Sequence, residues 1–323
     1  FLGAQIVSIN GHSIENFIRE YLQIFPSDGN NLTHKYRLLS SSRYFTRYFS
    51  MLFGYAERYN VEYISLNETT LKTKTLQGLT FDNLLKIADD RYPVKIEEQK
   101  PAFFKINEDK KYAFLKIKSF DKGQYKKNKM KFEKFLKASF KKMESENIQN
   151  LIIDVRDNGG GTDEYGRILF SYFVNQSFDY YKSLRMNKES FDCFKYTSKP
   201  EMKAPKGMLK PNKEGTFDNV KHPNVGRQNP LSPIYTGNIY VLINGWCFST
   251  TSEFLSQGLT NLGIIIFRIA TETDGSFITS DNPVVFQKMC VTTNRCPNGI
   301  YFPLTPQFLL FLGKRTEGTI NDV

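Results

Sequence analysis

Leu151-Ile152-Ile153-Asp154-Val155-Arg156-Asp157-Asn158-Gly159-Gly160-Gly161 is the stretch whose reading decides the fold. Its first five residues form a nearly unbroken apolar run, as expected of a strand covered on both faces in a parallel sheet. Three glycines end it. Without a Cβ they take positive φ at little cost and bring bare N–H groups close to a ligand, so such a turn can form an anion nest at a helix start. A helix is expected to follow over about 163–174. Upstream, Tyr112-Ala113-Phe114-Leu115-Lys116-Ile117 reads as a second strand. The segment 124–146 reads as one helix, with Phe132, Phe135, Leu136, Phe140 and Met143 at helical spacing on one face. Its other face, with Lys126, Lys127, Lys129, Lys131, Lys134, Lys137 and Lys141, is expected to meet solvent. Strand, helix, strand, Gly-rich turn, helix is the pattern of a right-handed crossover unit.

Further along, 187–235 is rich in Lys, Pro, Asn and Gly and reads as a long surface excursion. The α/β rhythm returns with Ile239-Tyr240-Val241-Leu242-Ile243, a turn over Asn244 to Phe248, a helix from Ser249 to about 259, and a strand at 264–267. Open α/β sheets bind ligands where strands end and helices begin, so two turns qualify. The Gly-rich one could also be a plain tight turn; as a phosphate loop it lacks the Walker Lys and the GxGxxG spacing. In the second, Thr250 and Glu253 match a capping box. The same residues also offer a hydroxyl nucleophile at the positive end of a helix, beside N–H groups able to stabilise an oxyanion, although not in a GxSxG elbow.

Toward the start, Leu2 to Gly11 alternates like a strand and turns at Asn10-Gly11 into a short helix near 14–18. One strand and one helix cannot bury a core, so partner strands are expected upstream of Phe1. Residues 30–95 are aromatic-rich, with a strand-like run at 61–66. Across the 323 residues, 28 Phe and 18 Tyr exclude disorder as the dominant state. No run approaches the roughly 20 apolar residues of a membrane-spanning helix. The net charge of +11 invites a nucleic-acid role, but lysines spread along the chain without a recognition signature argue against one. Four cysteines, Cys193, Cys247, Cys290 and Cys296, contain no CxxC metal pair. Cys290 and Cys296 could close a small loop or stay free.

The two turns together, in this order and spacing, resemble peptidase family S41, the C-terminal processing and tricorn-like serine proteases. The likeness rests on 112–120, 151–161, "IYVLINGWCFSTTSE" at 239–253 and "TETDG" at 271–275, and the opening "LGAQIVSING" resembles the end of a PDZ-like segment. The resemblance implies an α/β, crotonase-like (ClpP/crotonase) core over 100–323 and a partial PDZ-like, aromatic-rich region over 1–95. It implies a serine-type endopeptidase that takes an extended peptide or protein substrate, uses no cofactor or metal, and acts in the periplasm or outside the cell. The oxyanion would lie between an N–H of Gly160 or Gly161 and the N–H following the nucleophile. The family's nucleophile stands three residues before the acidic residue, which here is Thr250, with Ser249 one step earlier. Both are candidates, and Ser249 is preferred because the extra methyl of Thr crowds attack. Where the Ser–Lys branch has its base stands Ser276, and Lys288 is too distant, so the chain is closer to the Ser–His–Glu branch. That branch draws its His from before the PDZ-like segment, here upstream of Phe1. His12, His34 and His222 match no motif and read as surface histidines; Glu317, the sole Glu near the end, is left unassigned. Two alternatives are an inactive relative that binds peptides and a crotonase-like acyl-CoA enzyme, which explains neither the opening segment nor the Ser-bearing helix.

Overall fold

A computed structural model describes residues 3–28, 32–91, 100–107, 112–200, 203–262, 300–305 and 308–312. The expected strand at 264–267, the motif at 271–275, Ser276, Lys288, Cys290, Cys296 and Glu317 lie outside the described residues.

The chain opens with a hairpin of β1 (Gln5–Ile9) and β2 (His12–Ser13). Asn10 and Gly11 both have positive φ, the pattern of a tight I′-type turn. α1 (Ile14–Ile24), twice the expected length, is capped by the Ser13 hydroxyl. After it come α2 (Leu32–Leu39), α3 (Ser42–Phe53), β3 (Arg58–Ile64), β4 (Leu71–Gln77) and α4 (Phe81–Arg91). The sheet order is β2-β1-β3-β4, all antiparallel. Its core is small and aromatic: Ile9, Phe17, Phe49 and Val61 are buried, with Phe45 and Phe53 packed against them.

A second sheet begins with β5 (Ala102–Asn107) and β6 (Tyr112–Ile117). The helix expected over 124–146 is two helices, α5 (Lys122–Lys127) and α6 (Phe132–Ser145). Asp121 caps the first one early, and the chain reverses at Lys129, which has φ +52°. Phe132, Leu136, Phe140 and Met143 of α6 are buried, while Lys134, Lys137 and Lys141 are exposed. β7 (Asn150–Asp154) leads to the Gly-rich turn and α7 (Asp163–Phe170), which stops short of the expected end, where the Ser171 hydroxyl bonds back to the Arg167 carbonyl.

After α7 come β8 (Phe178–Asp179) and β9 (Arg185–Met186), and the segment expected as a surface excursion, 187–235, carries β10 (Leu209–Pro211), β11 (Phe217–Asn219) and β12 (Arg227–Gln228). They pair as β10-β11-β9 and β12-β8, and Leu209, Asn219, Asn224 and Tyr235 are buried. It is thus partly organised on the body of the protein. β13 (Asn238–Leu242) and α8 (Thr250–Leu262) follow, and a hairpin pairs β14 (Ile300–Thr305) with β15 (Phe308–Leu312).

The main sheet has the order β13-β7-β6-β5, with β13, β7 and β6 parallel and β5 antiparallel. Leu115, Ile117, Leu151 and Ile153 are fully buried in the largest core cluster, beside Phe132, Leu136, Leu169 and Phe254 from the helices. Burying each such side chain is worth about 1.5–3 kcal/mol, so this side of the sheet anchors the domain. The register aligns Leu242 with Asp154, so β13 and β7 end level. Whatever follows these two strands therefore emerges side by side.

Candidate active site

The turn after β7 is fixed by Asn158, which is fully buried. Its side-chain amide donates to the Ile117 carbonyl at the end of β6 (3.0 Å), and its Oδ1 accepts the Gly160 N–H (2.9 Å). Asp157, at φ +65°, exchanges two bonds with Asn244 of the second turn: its N–H donates to Asn244 Oδ1 (3.0 Å), and Asn244 Nδ2 donates to its carboxylate (2.8 Å). The two turns are thereby laced together.

Gly160 and Gly161 have φ of +95° and +145°. A Cβ on Gly161 would lie 2.3 Å from Phe120 C and Asp121 N, and one on Gly160 would lie 2.7 Å from Phe248 O, 2.9 Å from Ser249 Cβ and 3.0 Å from Thr250 N. No side chain fits at either position. By bond geometry the Gly160 nitrogen is within about 7 Å of the Ser249 hydroxyl. The sequence candidates Gly160, Gly161, Ser249 and Thr250 are therefore brought into one place.

They are not equivalent. Ser249 precedes α8, has φ +54°, and gives its carbonyl to the Glu253 N–H (3.0 Å). Its N–H donates to Asp28 Oδ2 (2.9 Å). Its hydroxyl has no hydrogen-bond partner among the described residues. The Thr250 side chain is fully buried, and its hydroxyl shares its proton between the Gly161 carbonyl and Asp163 Oδ1, both at 3.2 Å. The capping box expected of Thr250 and Glu253 does not form, because Thr250 is already the first helical residue and its hydroxyl is turned to the Gly-rich turn. Among the glycines, the Gly160 N–H is taken by Asn158, while Gly161 N–H meets no acceptor among the described residues.

Glu253 instead accepts the Tyr181 hydroxyl (2.5 Å). Burial raises its carboxyl above the usual range, and the like charges of Asp163 and Asp28 push the same way against the pull of Tyr181 and His222. Tyr181 stacks on His222 at 5.4 Å, whose Nε2 faces Asp163 Oδ2 at 3.6 Å. The Asn224 N–H donates to His222 Nδ1 (3.2 Å), so the acceptor nitrogen of that imidazole is engaged. Asp154, at the end of β7, is bound by Arg156 in two bonds (3.0 and 2.8 Å) and by Lys116 (3.1 Å). Burial drives its carboxyl upward, but the two cations outweigh that and hold it below its ordinary value.

The sequence reading missed the outer wall of the site. His34, read as a surface residue, is buried in α2 and stacks on Phe248 at 4.5 Å. Its Nδ1 lies 3.0 Å from the Gly245 carbonyl. A carbonyl only accepts, so Nδ1 carries the proton and Nε2 is the acceptor nitrogen. Burial lowers its pKa, against the opposing pull of the Gly245 carbonyl and Asp28, which favours the neutral ring. Arg37 pairs with Asp157 (3.2 Å) and covers the Trp246 ring, which also meets Tyr44 edge-on. His34 and Leu38, both buried at i and i+4 of α2, were a periodic signal for this burial. Nothing local flagged Asp28. His12 is exposed, stacked on Phe53.

Cys193 and Cys247 are free thiols; Cys247 is buried, and burial raises its pKa to about 12. That is an inert thiol beside the site. Among the described residues no His/Cys/Asp/Glu group could hold a metal, and no helix is long and apolar enough to cross a membrane.

No curated protein sequence matches the chain. Among solved structures, a photosystem II D1 C-terminal processing protease is similar over 81% of this chain and 49% of its own, at 13% identity and a TM-score of 0.32. Mature CPAF complexed with lactacystin is similar over 82% of this chain and 63% of its own, at 15% identity and a TM-score of 0.41. The chain thus spans about half to two thirds of the length of these proteins. The sequence model of peptidase family S41 matches residues 111–277, which contain both turns, and the chain belongs to that family.

Proposed function

We propose that this S41 chain is a serine-type endopeptidase in which Ser249 attacks the carbonyl carbon of an extended peptide. The observation that carries this reading is the contact of Gly160 with the Ser249 turn, closer than any side chain would allow. As the Oγ–C bond forms, the C=O electron pair moves onto oxygen and the Ser249 proton passes to a general base, which the family reading makes a His. Gly161 N–H and Thr250 N–H are the donors for that oxygen, since Gly160 N–H is engaged by Asn158. Preorganised donors of this kind supply roughly 3–4 kcal/mol each to the tetrahedral state. Collapse breaks the C–N bond and the amine leaves with the proton the base took from serine. Water, giving a proton to the same base, then attacks the acyl carbon, and the Oγ–C bond breaks as that proton returns to Ser249. Thr250 is the lesser candidate for attack, because its buried hydroxyl already serves Gly161 and Asp163.

The same proposal divides the chain into a PDZ-like, aromatic-rich region over 1–95 and a crotonase-like peptidase core over 100–323, with 187–235 as a surface excursion. The separate antiparallel sheet and its own small core support the first; the parallel β6-β7-β13 set supports the second. An exported location follows from the family reading. A second reading, an inactive relative that binds peptides, draws on the Ser249 hydroxyl lacking a partner among the described residues.

The test is labelling of the full chain by a fluorophosphonate. Labelling abolished by Ser249→Ala and retained in Thr250→Val supports the proposal. Labelling lost only in Thr250→Val moves the role to Thr250, and a folded chain that is never labelled favours the binding protein.

A further inference from the structure

We propose that Asp28 is a positioning residue for Ser249, its carboxylate holding the serine's backbone in the conformation that aims the hydroxyl at the Gly-rich turn. This rests on the reading of Ser249 as the nucleophile. A non-glycine residue at φ +54° is in a left-handed conformation that costs about 1–2 kcal/mol, so something must impose it. The carbonyl side is fixed by the first turn of α8, through Glu253 N–H. The N–H side is fixed by Asp28 Oδ2 at 2.9 Å, across 221 residues of sequence. A bond to a carboxylate is about twice as strong as a neutral one.

The rest of the turn is gripped from the same segment. His34 stacks on Phe248 and holds the Gly245 carbonyl, and Arg37 and Tyr44 lie on Trp246. Among these contacts Asp28 alone reaches the serine itself. Asp28 is exposed, so its side chain adds little to the fold by burial. It also stays clear of the oxyanion: it engages the Ser249 N–H, whereas the donors assigned to the oxyanion are those of Gly161 and Thr250. A nucleophile whose geometry is set by a carboxylate on a different sheet's region works only while that region is docked against β13 and α8.

The test compares Asp28→Ala and Asp28→Asn in the full chain. Asn keeps an acceptor oxygen at the same reach; Ala removes it. Asp28→Ala should slow fluorophosphonate labelling of Ser249 about tenfold with Tm little changed, and Asp28→Asn should restore the rate to within about threefold of the parent. Hydrogen exchange at the Ser249 amide, read by NMR, should be protected in the parent and in Asp28→Asn and fast in Asp28→Ala. Equal labelling rates in parent and Asp28→Ala overturn the proposal, and a faster rate in Asp28→Ala would make the carboxylate an obstacle instead. Equal amide exchange in the two overturns it whatever the labelling shows. A parent chain that is never labelled, yet shows Asp28-dependent exchange, supports the contact and refutes the nucleophile assignment.

Discussion

Gly160→Ala is the substitution that bears most directly on the apposition of the two turns. The new methyl would lie 2.7 Å from Phe248 O, 2.9 Å from Ser249 Cβ and 3.0 Å from Thr250 N, and two of those three atoms are backbone. Restoring an ordinary 3.4 Å contact from 2.7 Å requires the turns to part by about 0.7 Å. Positive φ adds about 1–2 kcal/mol, and forcing a methyl into a filled site adds about 1–3, so the folded state should lose about 2–5 kcal/mol. A displacement approaching 1 Å between reacting groups costs up to about 100-fold in rate, so labelling of Ser249 should slow by about 10- to 100-fold in the molecules that remain folded. Gly215→Ala is the control. Gly215 has φ +73° but nothing within 4 Å of the missing Cβ, so it should lose only the conformational term and keep its labelling rate. Urea unfolding gives the stabilities and probe kinetics the rates. If Gly160→Ala labels as fast as Gly215→Ala at equal stability, the close packing of the turns does not align the serine, and the reading of this site fails.

Thr250→Val should cost about 1–3 kcal/mol in urea unfolding, because the Gly161 carbonyl and Asp163 lose a buried donor, while Ser249 labelling persists. For pH, the buried His34 titrates below its ordinary value when folded, so the unfolded chain takes up that proton first. Its contribution is fully present above about pH 6.5 and is lost as pH falls from there through the folded pKa; His34→Gln should flatten that limb of a Tm–pH curve. Asp154, held low by Arg156 and Lys116, contributes above about pH 4 and loses this as pH falls through its folded pKa, a second limb that Asp154→Asn should remove.

Period and composition made the core legible. The strands at 112–117, 151–155 and 239–243 were visible as apolar-rich runs, interrupted only by Lys116 and Asp154, because a parallel sheet between helices covers most positions of its strands. The helices were legible by their apolar stripes, but their ends were not. The break at Lys129 depends on a single positive φ, which no side-chain pattern announces. Thr250 and Glu253 had the spacing of a capping box, yet the Gly161 carbonyl and Asp163 took the threonine hydroxyl and Tyr181 took the glutamate. Those competitors come from 70 to 90 residues away, so local reasoning could not weigh them.

By itself the sequence determined that β7 and β13 are buried strands, that each opens into a turn and a helix, and that glycines occupy one turn and hydroxyls the other. These follow from short-range rules of side-chain burial and backbone freedom. Only the tertiary structure decided that these two strands are direct neighbours, in a register ending Leu242 level with Asp154, which puts the turns in contact. It alone decided that Gly160's N–H is spent on Asn158 while Ser249's N–H goes to Asp28. Each donor has many possible acceptors along the chain. Which one it meets is fixed when the sheet and the N-terminal helices pack, because burial requires every polar group to find its partner in the same arrangement.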